Sequence, residues 1–158
     1  FLVSNGTLPK AIENLDPLPT QLYITVAAPN PEIYDRLLVP MIPDGWKRLN
    51  ETLELLPSLD TRTVIRHTLV KGWNMEGHEK EYAKLIEKAD PNFIEAKGYV
   101  FVGYSRERMT MANMPSHEEI REFGEKIAEY TGRELVMEYR PSRVVLISEK
   151  GKETKIKK

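Results

Sequence analysis

Lys97 stands inside "FIEAKGYVFVGYSR", residues 93–106, a stretch that otherwise reads as a buried strand. Side chains alternate along a strand, so Glu95, Lys97 and Tyr99 share one face, while Ile94, Ala96, Gly98 and Val100 share the other. The small apolar face suits packing against helices, which leaves Glu95 and Lys97 on the opposite side. In "TRTVIRHTLV", residues 61–70, the same alternation puts Arg66 and Thr68 with Val64, against Ile65, His67 and Leu69. If Arg66 points the same way as Lys97, that layer carries both signs of charge, and pairing within it offsets part of the desolvation cost. Two uses then compete. One is a structural ion-pair layer. The other is an amine nucleophile, because a dry pocket disfavours the charged form of a lysine and frees it to bond a carbonyl carbon. Lys71 is the rival lysine, but it follows its strand beside Gly72, where a lysine is more often a solvated charge or an anion contact.

Other candidates are weaker. Asn5 in "SNGT" is a turn residue anywhere, yet at a parallel strand end its amide suits an adenine edge or a carboxylate. His67 has no companion at ligand spacing and reads as a packed strand histidine. His78 and His117 lie in loop and cap contexts, so no metal site made of protein side chains alone is expected. The segment "GYSRERMTMANMPSH", residues 103–117, reads as a long loop with Tyr104, Arg106, Arg108 and three methionines. Arginines and an aromatic residue there could contact phosphate and stack on RNA bases, with the methionines packing the loop down.

Bulk properties narrow the field. A chain of 158 residues suits one domain with a single core. No apolar run approaches the roughly 18 residues of a membrane span, and no basic-then-apolar signal segment opens the chain, so no membrane partner and a cytoplasmic location are expected. Cysteine is absent, which excludes disulfides, a thiolate nucleophile and cysteine-held clusters within these residues. A net charge of −1 gives no global attraction to nucleic acid. The tail "KGKETKIKK" lacks a packing pattern and reads as a frayed, solvated terminus, which divides the chain into a domain over 1–149 and a disordered tail over 150–158. "FLVSNG" opens in mid-strand, as a piece of a longer chain would.

Strand-length apolar runs alternate with helical patterns. "QLYITVAA", "TRTVIRHTLV" and "NFIEAKGYVFVG" read as strands. "PNPEIYDRLLV" reads as a helix capped by Asn30 with Pro31 at its first position. In "DGWKRLNETLELLPSL", Trp46, Leu49, Leu53 and Leu56 fall on one face. Ser116 and Glu119 form a capping box, and Gly132 is a natural stop. "ELVMEYRPSRVVLISE" closes as one or two strands broken at Pro141. This order predicts an α/β fold of parallel strands with right-handed crossovers, either an open sheet or part of a (β/α) barrel. The barrel is favoured because polar residues collect at strand ends, where such folds place their sites.

"FLVSNGTLP", "LYITVAAPN", "RTVIRHTLVKGWNM", "IEAKGYVFVGYSRERMTMANMPSHEEIREF" and "YRPSRVVLI" together resemble the archaeal tRNA 4-demethylwyosine synthase family of radical S-adenosylmethionine (SAM) enzymes, over about residues 1–149. The resemblance implies the C-terminal portion of a partial, TIM-like (β/α) barrel. It also implies a [4Fe–4S] cluster on a C-x3-C-x2-C loop, S-adenosyl-L-methionine cleaved to a 5′-deoxyadenosyl radical, and an electron donor. The implied reaction joins two carbons of pyruvate to N1-methylguanosine beside the anticodon of tRNA(Phe), with a lysine holding pyruvate as an imine. Carried onto this chain, that lysine is Lys97, with Lys71 second. Asn5, Thr25, Arg66 and Thr68 then line the S-adenosylmethionine side, and Tyr104, Ser105, Arg106 and Arg108 face tRNA. The missing cysteines depart from the pattern, so the cluster ligands belong upstream of Phe1 and the chain alone is expected to be inactive. Two other readings remain open: a metal-independent, aldolase-like Schiff-base barrel, and a non-catalytic RNA-binding piece.

Overall fold

The computed structural model describes residues 1–156, and its frame is one six-stranded sheet in the order β1-β2-β3-β4-β6-β5. The strands are β1 (Leu2–Ser4), β2 (Gln21–Thr25), β3 (Arg62–Leu69), β4 (Phe93–Gly98), β5 (Glu134–Tyr139) and β6 (Val144–Ser148). Between them run α1 (Pro9–Glu13), α2 (Pro31–Leu38), α3 (Gly45–Leu55), α4 (Glu79–Ala89) and α5 (His117–Thr131). β1 to β4 pair in parallel, as the alternation predicts. The last two strands do not follow that pattern: β6 runs antiparallel to both β4 and β5. The four residues 140–143 join β5 to β6, and so short a connection can reverse the chain but cannot make the crossover a parallel pair needs.

Right-handed crossovers between neighbours taken in one direction deposit their helices on one face of the sheet. Burial follows. Leu22, Ile24, Ile65, Ile94, Ala96, Val145 and Ile147 are sealed, whereas Tyr23, Thr25, Arg66, Thr68, Glu95 and Lys97 on the other face are half-buried. The helices form through local rules legible in the chain. The Asn30 side chain accepts from the Ile33 N–H, with Pro31 behind it. Ser116 and Glu119 close a reciprocal capping box, and Gly132 ends α5 at a φ of 64°, a conformation open to glycine. Leu49, Leu53 and Leu56 are buried as their spacing requires, while Trp46 packs on Tyr34 at 5.6 Å.

Two strands stop earlier than the apolar runs suggest. The run 92–103 yields a strand only to Gly98. The last β4–β6 pair is Lys97 with Val144, and beyond it the Val102 N–H turns back to the Val100 carbonyl. With no neighbour left to pair with, Val100 and Val102 lie exposed. Likewise β2 ends at Thr25 rather than Ala28. The segment 103–117 folds as two short 3-10 turns, Gly103–Glu107 and Met111–Asn113. Met109 is buried and Met114 packs against the core, but Met111 faces solvent. Within the tail, the Arg62 guanidinium donates to the carbonyls of Thr154 and Lys155, holding that stretch near the N-terminal end of the open face. The rest of the tail, residues 157–158, lies outside the described residues.

Candidate active site

The open face of the sheet is built in rows, because strands in register bring side chains of like parity side by side. Gln21 and Arg62 lie nearest the N-terminal ends of β2 and β3, and next comes an apolar row of Tyr23, Val64 and Phe93. Above it come Thr25, Arg66, Glu95 and Leu146, and above those Thr68, Lys97 and Val144 at the C-terminal ends of β3 and β4. Gly98 follows Lys97 because Pro115 packs directly on the strand: a Cβ there would sit 3.3 Å from the proline ring.

Charge is distributed unequally over these rows. The Arg66 guanidinium grips Glu95 through two bonds, Nε to Oε1 at 2.8 Å and Nη2 to Oε2 at 3.4 Å, and stacks over Tyr23 at 4.6 Å. With side chains 27% and 13% exposed, this is a partly buried pair in the fork geometry that arginine favours. Lys97 sits one row higher, two residues along from Glu95 and roughly 7 Å away by strand rise. Among the described residues it makes no ion pair or hydrogen bond. The ion-pair layer and the candidate nucleophile are therefore different rows of the same face.

Lys71 is placed differently. Its ammonium bonds Glu119 at the start of α5, and that hydrogen bond raises its pKa above the ordinary lysine value. Its backbone is tied to the 111–113 turn, with its N–H donating to the Asn113 carbonyl and its carbonyl accepting from Asn113 Nδ2.

At the strand ends two clefts open. One, of about 450 Å³, is lined by Asn5, Thr25, Ala27, Tyr34, Leu38 and Met41, among others. The Asn5 Oδ1 accepts from the Thr7 backbone and hydroxyl, and among the described residues its amide NH2 makes no hydrogen bond. A smaller cleft of about 180 Å³ is lined by Ala27, Thr68, Tyr99, Ser105 and Arg108. The four loop candidates divide in two. Tyr104 is 89% exposed and Arg106 also faces solvent. Ser105 bonds the Tyr99 hydroxyl at 2.7 Å, and Arg108 caps the C-terminus of α2 by donating to the carbonyls of Arg36 and Leu37. A cation at that end of a helix is favourable.

Two buried residues that sequence reasoning passed over or set aside support these strand ends. Asn74, in the loop after β3, accepts from the Val70 N–H and donates to the carbonyls of Ala27 and Thr68. His67 is fully buried among Tyr82 and Phe123, and burial pushes its pKa down to about 4, so it is neutral in the fold. His67 thus is a packed strand histidine, as its isolation in the sequence suggests. An asparagine bracketed by tryptophan and methionine in a loop carries no local mark of its role. Among the described residues no group of three histidine, cysteine, aspartate or glutamate side chains could hold a metal, and no helix is long and apolar enough to cross a membrane.

Residues 88–149 match the family described as wyosine base formation. The chain is 56% identical over 151 residues to the S-adenosyl-L-methionine-dependent tRNA 4-demethylwyosine synthase of Pyrococcus horikoshii, covering 93% of this chain and 44% of the relative. It is 37% identical to the human enzyme of the same description, TYW1, covering 94% of this chain and 20% of that one. A solved structure of TYW1 with a lysine–pyruvate adduct bound superposes with a TM-score of 0.84 at 33% identity, over 95% of this chain and 47% of that one. An archaeal TYW1 crystal structure gives 0.75 at 30% identity, over 96% and 46%. The chain thus spans somewhat less than half the length of the archaeal relatives it matches.

Proposed function

We propose that this chain, a relative of the tRNA 4-demethylwyosine synthases along nearly its whole length, forms the C-terminal part of the reaction chamber of such an enzyme. The observation that carries the reading is the open face: a chamber wall with a lysine that has no partner among the described residues, at the strand ends above an ion pair that satisfies itself. A radical-SAM (β/α) barrel would be completed by further strands added at β1, whose edge carries the exposed Phe1, Leu2 and Val3. The complete enzyme would be a cytoplasmic lyase acting on tRNA(Phe), and the chain alone would be inactive.

The iron–sulfur cluster does not fit the residues present, since the chain has no cysteine and thiolates are its usual ligands. Its ligands belong to another part of the enzyme, with the electron donor that reduces it. S-adenosylmethionine fits better, because the larger cleft offers a free amide from Asn5, the Thr25 hydroxyl and apolar walls from Tyr34 and Met41. When bound, it would supply the adenosyl group for radical chemistry. Arg66 shares the row of Thr25 and Thr68 lies one row above it, and Arg66, held by Glu95, fixes the charge below Lys97.

For Lys97 the task is to hold pyruvate: Nζ bonds the ketone carbon and the ketone oxygen leaves as water. A lysine–pyruvate adduct in a structural relative supports this use of a lysine. Between the two candidates the pairing argues for Lys97, because the Glu119 carboxylate keeps Lys71 protonated. At the rim, Tyr104 and Arg106 contact tRNA, while Ser105 and Arg108 shape the loop that presents them.

The reading is tested on the intact enzyme by product formation from N1-methylguanosine-containing tRNA. Lys97→Ala abolishes product while S-adenosylmethionine still binds. An unchanged rate returns Lys97 to the plain surface of a chamber wall. The residues preceding Phe1 give a second test. Three cysteines at C-x3-C-x2-C spacing are expected there, and an ordinary strand and helix would sink the proposal.

A further inference from the structure

A parallel ladder served by backbone alone would carry β2 past Thr25, since the Val26 N–H still donates to the Arg66 carbonyl at 2.8 Å. In the next step of such a ladder, backbone N–H groups would serve the Val26 and Thr68 carbonyls. Instead His67 Nδ1–H donates to the Val26 carbonyl at 2.8 Å, and Asn74 Nδ2 donates to the Ala27 carbonyl at 2.7 Å and the Thr68 carbonyl at 2.8 Å. Asn74 Oδ1 accepts from the Val70 N–H at 2.7 Å, which ties the same amide to the end of β3. His67 and Asn74 are both sealed from solvent, as are Val26 and Ala28. Ala27, held between them, lines both strand-end clefts.

We infer that His67 and Asn74 are positioning residues: their side chains replace the ladder between β2 and β3 and hold Val26–Ala28 as the wall shared by the two ligand clefts. A residue kept only to fill the core would be apolar at position 67, because β3 presents Ile65 and Leu69 on the same face. The chain carries a histidine there although its Nε2, like the neighbouring Tyr82 hydroxyl, has no hydrogen-bond partner among the described residues. The fold therefore tolerates an orphaned polar atom to keep the Nδ1–H bond. Neither residue touches the ligand. Each acts through the backbone between Thr25 and Pro29. The identity of that ligand, S-adenosylmethionine, rests on the function proposed above.

The test uses the intact enzyme with two substitutions that separate packing from hydrogen bonding. His67→Asn keeps an N–H donor near the Nδ1 position, whereas His67→Leu fills the space without one. His67→Leu is expected to weaken S-adenosylmethionine binding by about tenfold, the scale of one lost buried hydrogen bond. It should also speed amide exchange at residues 26–28 while exchange in α3 to α5 stays as in the wild type, and His67→Asn should restore both. Unchanged binding in His67→Leu, or no rescue by His67→Asn, would overturn the inference. If the wild-type enzyme binds no S-adenosylmethionine, the proposed function falls, and the exchange pattern alone decides: faster exchange confined to 26–28 upholds positioning, and unchanged or global exchange rejects it. Should His67→Leu fail to fold, Asn74→Ser is read out the same way.

Discussion

The two faces of the sheet solve opposite problems with the same strands. On the covered face Ile24, Ile65, Ile94 and Ile147 are sealed under helices, and His67, buried among them, is stripped of its charge. On the open face charge is kept, and Arg66 and Glu95 keep it by pairing, while Lys97 is left over. The contrast separates groups that hold the fold from groups free to do chemistry. On the covered face His67 is committed to backbone through its Nδ1–H while its Nε2 goes without a partner among the described residues, and a charged group on the open face is committed to a partner unless it has a task.

Substitutions can break this contrast, and the largest effect belongs to the covered face. Ile94→Ala should cost about 3 kcal/mol by emptying a sealed site, read as a drop in the denaturation midpoint. A cost below about 1 kcal/mol would mean that the helices do not seal that face as described.

Acid should act through the same face. The His67 pKa is depressed to about 4 in the fold from 6.5 when unfolded. The proton therefore binds the unfolded chain first, and stability present above pH 6.5 is lost as pH falls toward 4. The loss approaches about 3 kcal/mol, and His67→Asn should remove that part of the acid sensitivity in urea titrations across this range.

On the open face, Glu95→Ala should cost about 2 kcal/mol, because Arg66 would be left half-buried without its carboxylate. The double variant Arg66→Met with Glu95→Leu should recover most of it. Equal losses in the single and double variants would show that the pair itself is not what matters. The smallest effect belongs to Lys71→Ala, whose exposed bridge to Glu119 should leave the melting temperature within error.

The sequence made this division visible to an uneven degree. Alternation alone sorted Glu95, Lys97, Arg66 and Thr68 from Ile94, Ala96, Ile65 and His67, because a two-residue period is a local property. The Asn30 cap and the Ser116–Glu119 box were legible for the same reason. What pairs with what was not. That β6 enters antiparallel between β4 and β5, that Arg66 takes Glu95 and leaves Lys97 free, and that Arg108 closes α2 across 71 residues are long-range facts with no local signature. Asn74 belongs with them, since Ala27 joins its local partners Thr68 and Val70 only when β2 and β3 lie side by side. The shared resemblance to wyosine-forming enzymes spoke to the chemistry of the family but not to which row of the open face performs it.

Borohydride trapping of labelled pyruvate on the intact enzyme, with the modified peptide located by mass spectrometry, tests the central claim most directly. The account predicts one adduct, on Lys97, absent from Lys97→Arg and unchanged in Lys71→Ala. An adduct that survives Lys97→Arg would contradict it: loss in Lys71→Ala would move the imine to the α5 rim, and survival in both would move it outside this chain.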